Sequence, residues 1–178
     1  MSAKSDFIIR DVRIRDSEGI INLYYSYYEE LGANPSLGLV LYRRKPDFRQ
    51  ESEWFKAAYK QIGLGNSIAL VAEADGKIVG LCDVVRIKPG TSADHVGQIG
   101  IAIKKEYRSR GIGRALMSEA IKRSKGKFEQ LILNVFENNR TALSLYKKLG
   151  FREFGTLRMS QKRGNRYFNE KYLYLRIK

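Results

Sequence analysis

Apolar residues recur along this chain in two rhythms. Ile20, Ile21, Leu23, Tyr24, Tyr27, Tyr28 and Leu31 fall at steps of three and four, so the spacing predicts a helix ending near Gly32. Asp16, Ser17 and Glu18 precede it with side chains suited to capping a helix start. Trp54, Phe55, Ala58, Tyr59 and Ile62 predict a second helix after Pro46, halted by Gly63, Leu64, Gly65 and Asn66. Strands are predicted over 7–12, 67–74 and 77–87, the last two joined by Asp75-Gly76, a pair that tolerates the positive φ of a tight hairpin turn. The chain then alternates. Residues 95–103 read as a strand, 112–125 as a helix closed by Gly126, 130–136 as a strand, and 141–149 as a helix closed by Gly150. Residues 151–160 and 166–177 complete it as a strand pair around Arg163-Gly164-Asn165.

Asn34-Pro35-Ser36 and the run from Arg43 to Pro46 interrupt the pattern, yet no linker, repeat or low-complexity tract divides it. One α/β domain over 1–178, built on a mixed sheet, follows. With 43% hydrophobic and 11% aromatic residues, the composition lies far from the disordered regime. Cys82 is the single cysteine and His95 the single histidine, which excludes an internal disulfide framework and argues against a zinc centre or other metal site. The first residues lack an apolar leader run, and no uncharged apolar stretch approaches the roughly 18 residues that span a bilayer. A soluble cytoplasmic protein with no membrane partner is expected. Charge is uneven: residues 1–103 carry 13 basic and 13 acidic side chains, whereas 104–178 carry 20 and 6, a surplus of 14. An anionic partner for the second half is expected.

The segment from Ile101 to Arg114 joins a buried strand to a helix through a basic loop with two glycines. Backbone N–H groups at such a helix start, the helix dipole and flanking guanidinium groups favour phosphate or pyrophosphate. A side chain at Gly111 or Gly113 could block close approach of the backbone. A dinucleotide fingerprint needs a third glycine where Leu116 stands, and a Walker loop needs Lys-Ser/Thr where Arg114-Ala115 stands. The remaining reading is R/Q-x-x-G-x-G/A, met by Arg108-Ser109-Arg110-Gly111-Ile112-Gly113. About thirty residues later Asn139, Ala142, Leu145, Tyr146, Gly150 and Phe151 meet the pattern Asn-x-x-Ala-x-x-Leu-Tyr-x-x-x-Gly-Phe. Singly, these residues have plainer readings: turn glycines, a helix cap for Asn139 and a core aromatic for Tyr146.

Together, the paired motifs resemble the GNAT superfamily of N-acetyltransferases, from about residue 67 to the C-terminus. The resemblance implies a mostly antiparallel sheet of about seven strands with about four helices, splayed between strands 4 and 5. It implies acceptor-side helices in 1–66 and an acyl-CoA-binding core in 67–178. Acetyl-CoA would be the cosubstrate, its pantetheine arm pairing with the backbone of Ile101, Ala102 and Ile103. The N–H groups of Ser109, Arg110, Gly111, Ile112, Gly113 and Arg114 would hold the pyrophosphate, with Arg108, Arg110 and Arg114 adding charge. The Asn139 side chain would bond the pantetheine or its thioester end. A backbone N–H on the fourth strand would polarise the thioester carbonyl. Tyr146 would serve as general acid for the departing thiolate, and Cys82 reads as a small buried residue.

A neutral amine acceptor would attack directly in a ternary complex. Family members that act on histones or ribosomal proteins carry a base glutamate where Gly97 or Asn134 stands here, so the general base is unassigned; Asp83, His95, Glu29 and Glu30 are candidates. Acceptor contacts would come from Tyr24, Tyr25, Tyr27, Tyr28, Trp54 and Tyr167, several of which also suit a core. The tail around Gly164-Asn165-Arg166-Tyr167 resembles that of enzymes acetylating amino acids or other small amines, with an insertion. A polyamine acceptor is less favoured, since the later half has few acids. Alternatives are a protein N-terminal or lysine acetyltransferase and, from another class, a nucleic-acid- or ribosome-associated module using Lys122, Arg123, Lys125, Lys127, Lys147, Lys148, Lys162 and Arg163. A solvated helix face explains most of those charges equally well. Homodimerisation is common in the family.

Overall fold

The computed structural model describes residues 6–34, 36–39 and 41–177. Residues 1–5, part of the start expected to lack an apolar run, and Pro35, part of the expected break, lie outside the described residues. Seven strands form one sheet in the order β1-β2-β3-β4-β5-β7-β6: β1 Ile8–Asp11, β2 Ser67–Ala74, β3 Lys77–Arg86, β4 Val96–Ile103, β5 Gln130–Phe136, β6 Arg152–Arg163 and β7 Arg166–Arg176. Four helices accompany it: α1 Ser17–Ala33, α2 Phe48–Gly63, α3 Ile112–Ser124 and α4 Arg140–Lys148. Every pairing is antiparallel except β4 with β5.

The sheet is covered on both faces over β2 and β3, so these strands read as apolar runs rather than alternations. Leu70, Ala72, Cys82 and Val84 pack with Leu116, Met117 and Ala120 of α3. Val71, Ile78 and Leu81 face the other way, against Ile20, Leu23 and Tyr27 of α1 and Phe55 of α2. The β2–β3 turn takes positive φ at Asp75 (49°) and Gly76 (71°), as that residue pair predicts.

Two local expectations are corrected. Asp16 makes no side-chain cap on α1; its carboxylate instead accepts from the Arg13 N–H at 2.7 Å and from Arg10 at 2.7 and 2.9 Å. The strong charge-assisted bonds to Arg10 outcompete a neutral cap. The strand expected from His95 starts at Val96; His95 sits in the preceding turn, where its carbonyl accepts from the N–H groups of Glu129 and Gln130.

One pairing positions everything that follows. β4 and β5 touch only at Val96–Gln130, Gly97–Leu131 and Gln98–Ile132, and beyond Gln98 they part. Gly97 permits the contact: a Cβ there would lie 2.7 Å from Val84 Cγ1 and 3.0 Å from Leu131 Cδ2. Among the described residues, no helix is long and apolar enough to cross a membrane.

Candidate functional site

Where β4 and β5 separate, a cavity of about 790 Å³ opens between the strands, α1 and α4. The antiparallel ladder decides which β4 groups face it. The Lys104 N–H bonds to the Val79 carbonyl, and residues bonded to the neighbouring strand alternate. Ala102 and Gly100 therefore bond to β3, while Ile99, Ile101 and Ile103 turn their backbone groups towards the gap.

Of the three residues expected to offer backbone bonds, Ala102 is thus spent on β3. Ile103 is spent as well: the Tyr27 hydroxyl accepts from its N–H and donates to its carbonyl at 2.8 Å, and Arg108 Nε donates to the same carbonyl at 3.0 Å. Ile101 and Ile99 keep their backbone groups turned towards the gap.

The loop before α3 is shaped by Ser109 (φ 62°) and Gly111 (φ 83°), both left-handed. No side chain caps α3, and its first internal bond runs from the Ala115 N–H to the Gly111 carbonyl. The N–H groups of Ile112, Gly113 and Arg114 are therefore left pointing outward at the positive end of the helix. Within the fold the two glycines stand in different surroundings. A Cβ on Gly111 would meet nothing within 4 Å, so its requirement is the positive φ. A Cβ on Gly113 would approach Ile103 Cδ1 at 3.2 Å and Leu145 Cδ2 at 3.3 Å, so Gly113 lets α3 pack closely.

Arg108 is committed elsewhere. Its guanidinium grips Glu30 through two bonds of 2.6 Å, which fastens the loop to α1. Arg110 lies over the Tyr107 ring at 5.1 Å, Arg114 is exposed, and the Ile112 side chain is buried in the core. Asn139 caps α4, its Oδ1 accepting from the Ala142 N–H at 3.1 Å while the residue lines the cavity. The amide Nδ2 is the group left for a ligand.

Tyr146 is buried, and its ring packs at 6.0 Å from Phe151 while the residue lines the cavity. Burial, reinforced by Cys82 and Tyr27, pushes its phenol well above the usual value. Cys82 itself is fully buried with Sγ 3.8 Å from Met117 Sδ.

The four base candidates separate. Asp83 faces the cavity, and burial lifts its carboxyl to about 6. Gly100 stands opposite in the ladder, and a Cβ there would lie 3.1 Å from Asp83 Oδ1, so that glycine keeps the carboxylate reachable. Glu30 is held by Arg108, Glu29 is exposed on α1, and exposed His95 is not part of the cavity wall.

One carboxylate escaped the sequence reading. Glu170 of β7 is 3% exposed and lines the same cavity; its Oε1 accepts from Asn134 Nδ2 at 2.8 Å and its Oε2 from Gln161 Nε2 at 3.0 Å. Asn134 also accepts from Gln98 at 3.2 Å. Asn134 thus has a carboxylate of the adjacent strand beside it, a neighbour visible only once β7 is known to lie beside β5. Of the aromatics expected near an acceptor, Tyr27 is tied to Ile103, Tyr25 donates to the Pro46 carbonyl at 3.0 Å, and Tyr167 is exposed beneath Lys162. Tyr24, Tyr28 and Trp54 line a second cavity.

The sequence profile of the Acetyltransferase (GNAT) family matches residues 23–151. The chain is 39% identical over 100 residues to an N-alpha-acetyltransferase of Sulfurisphaera tokodaii, covering 49% of this chain and 58% of that protein. It is 34% identical over 107 residues to an L-amino acid N-acetyltransferase of Escherichia coli, covering 58% and 65%. The match thus spans less than two thirds of either curated relative. In fold it is similar to a GNAT superfamily phosphinothricin acetyltransferase from Sinorhizobium meliloti solved in complex with AcCoA, with a TM-score of 0.80 and 20% identity over 97% of this chain and 89% of that one.

Proposed function

The chain belongs to the GNAT acetyltransferase family, and on that premise we propose that it moves an acetyl group from acetyl-CoA to a primary amine of a small molecule or amino acid. The observation that carries this reading is the gap between β4 and β5, which sets the free backbone edge of Ile99 and Ile101, Tyr146 and Asp83 around one cavity. The residues fit the cosubstrate: outward N–H groups at the start of α3 suit its pyrophosphate, and Ile101 with Asn139 Nδ2 suits its amide-bearing arm. Acetyl transfer to amines is also the activity named for both curated relatives, one acting on amino acids.

Asp83 takes the ammonium proton. A carboxyl lifted to about 6 is a better match to that task than an ordinary aspartate and remains ionised at neutral pH. The freed lone pair attacks the thioester carbonyl, whose oxygen is polarised by a β4 N–H. As the C–S bond breaks, the Tyr146 phenol donates to the leaving sulfur. Its raised pKa makes the phenolate a stronger base than the thiolate, so the phenol keeps its proton and steadies the sulfur through that hydrogen bond, while the thiolate takes up the second proton shed by the acylated nitrogen. Glu170, its oxygens already occupied by Asn134 and Gln161, adds negative potential that draws the ammonium form into the cavity.

A protein N-terminal amine is the second reading, favoured by the 39% identity to the N-alpha-acetyltransferase. Thiol release from acetyl-CoA, measured across amino acids, simple amines and N-terminal peptides, tests both; no turnover with any class overturns the proposal. A homodimer would use Phe154, Leu157 and Met159, exposed on edge strand β6, and light scattering tests it. The basic second half would bind a polyanion or ribosome with an affinity that falls steeply with salt.

A further inference from the structure

The second cavity, of about 960 Å³, lies between α1, α2 and the segment joining them. It shares no lining residue with the first. Glu51 of α2 stands in its wall only 8% exposed, and among the described residues its carboxylate has no hydrogen bond or ion pair. Burial pushes its pKa upward. Tyr24 packs edge-on against Trp54, with ring centroids 5.7 Å apart at 82°, and Tyr28 completes an aromatic surround. The Glu51 charge reaches these rings, helping to raise the phenols of Tyr24 and Tyr28.

The Glu51 carboxylate oxygens open onto the cavity rather than into the core, and among the described residues no cation of the fold pairs with them. The α2 cap is already made by Asp47 and Gln50, and Phe55 supplies the apolar packing. Negative charge beside the faces of tyrosine and tryptophan is the chemistry that holds an ammonium or guanidinium. We propose that this cavity is a distal acceptor subsite in which Glu51, with Tyr24, Tyr28 and Trp54, binds a second, non-reacting cationic group of the amine substrate.

The inference rests on the acetyltransferase reading for what the bound molecule does next. Its placement suits that use: Tyr24 feels the charges of both Asp83 and Glu51, and Trp54 also lines a narrow cleft of about 230 Å³ whose wall includes Asp83. Trp54, common to the walls of both, and Tyr24, within the field of both acids, link the cleft of Asp83 to the cavity of Glu51. Arg43, Arg44 and Lys45 also line the cavity, but their side chains are exposed at its rim and none pairs with Glu51. Solvent screens those charges more than the buried carboxylate, so the interior is negative and the rim positive. The overall surplus of positive charge is therefore a poor guide to the acceptor, since the local acid decides.

The test compares 1,4-diaminobutane with butylamine, and ornithine with norvaline, as acceptors for wild type and Glu51→Gln. Wild type is expected to show a KM about tenfold lower for the dicationic member of each pair, and Glu51→Gln to lose the difference through KM. A second readout needs no turnover: agmatine, without acetyl-CoA, raises the melting temperature of wild type and not of Glu51→Gln, while the variant itself melts higher than wild type at neutral pH. Equal KM values within each pair for wild type, or a preference surviving in Glu51→Gln, overturns the subsite. Absence of acetylation of any amine, with the agmatine shift still dependent on Glu51, overturns the acetyltransferase reading and supports the cation site.

Discussion

The Tyr27 hydroxyl occupies both backbone groups of Ile103, accepting from the N–H and donating to the carbonyl at 2.8 Å. Arg108 adds a bond to that carbonyl and holds Glu30 one turn further along α1. Helix α1 is thereby fixed to the last residue of β4, and the free strand edge ends at Ile101. Tyr27→Phe strands the part-buried Ile103 N–H and leaves its carbonyl to Arg108 alone, with an expected loss of about 1–3 kcal/mol. Urea denaturation that yields a stability loss below about 0.5 kcal/mol would contradict the assignment.

Tyr146→Phe removes the hydroxyl and retains the ring that packs on Phe151. Turnover should fall by about 10²-fold or more, with acetyl-CoA affinity within about twofold of wild type. Steady-state kinetics paired with calorimetric titration of acetyl-CoA separate the two effects; unchanged turnover removes Tyr146 from the mechanism.

Asp83 yields a prediction with a definite sign. As the base it must be ionised, so kcat/KM should rise with pH through about 6 and Asp83→Asn should flatten that limb. Its folded pKa lies above the ordinary 3.8, so folding favours the protonated form and stability is lost as pH climbs from about 4 to about 6. Asp83→Asn should therefore melt higher than wild type at pH 7 and nearly level with it at pH 4. Thermal melts at the two pH values check this; a variant less stable at pH 7 refutes it.

Gly111→Ala places a Cβ in open space but at φ 83°, so strain alone should cost about 1–2 kcal/mol. Relaxation of that turn moves the outward N–H groups of α3, and acetyl-CoA affinity should fall with it. Calorimetry on the variant gives both numbers, and an unchanged dissociation constant would show that the turn does not shape the anion site.

What sequence disclosed and what it withheld divide by range. Strand 130–136 and the Asp75-Gly76 turn were legible because a local apolar run and two tolerant residues determine them. The paired motifs single out Tyr146, Asn139 and the α3 loop as candidates. The contacts that reassign roles are distant: Tyr27 and Ile103 lie 76 residues apart, Arg108 and Glu30 78, Asn134 and Glu170 36. Glu170 becomes a site residue only because β7 inserts between β5 and β6, an order no periodicity encodes. Glu51 was invisible for another reason. On a helical pattern an acid marks the solvent face, and here the segment between α1 and α2 folds over it.

The three rungs joining β4 to β5 make the sheet two leaves, β1 to β4 and β5 to β7, hinged at one end. A ligand lying along Ile99 and Ile101, as proposed for acetyl-CoA, would supply bonding that the polypeptide omits and would join cosubstrate and protein in one cohesive seam. Amide exchange at Ile99 and Ile101 should be rapid in the free protein and slow sharply with acetyl-CoA bound, while amides of β2 and β3 change little. On that proposal, filling the gap would also complete the sheet.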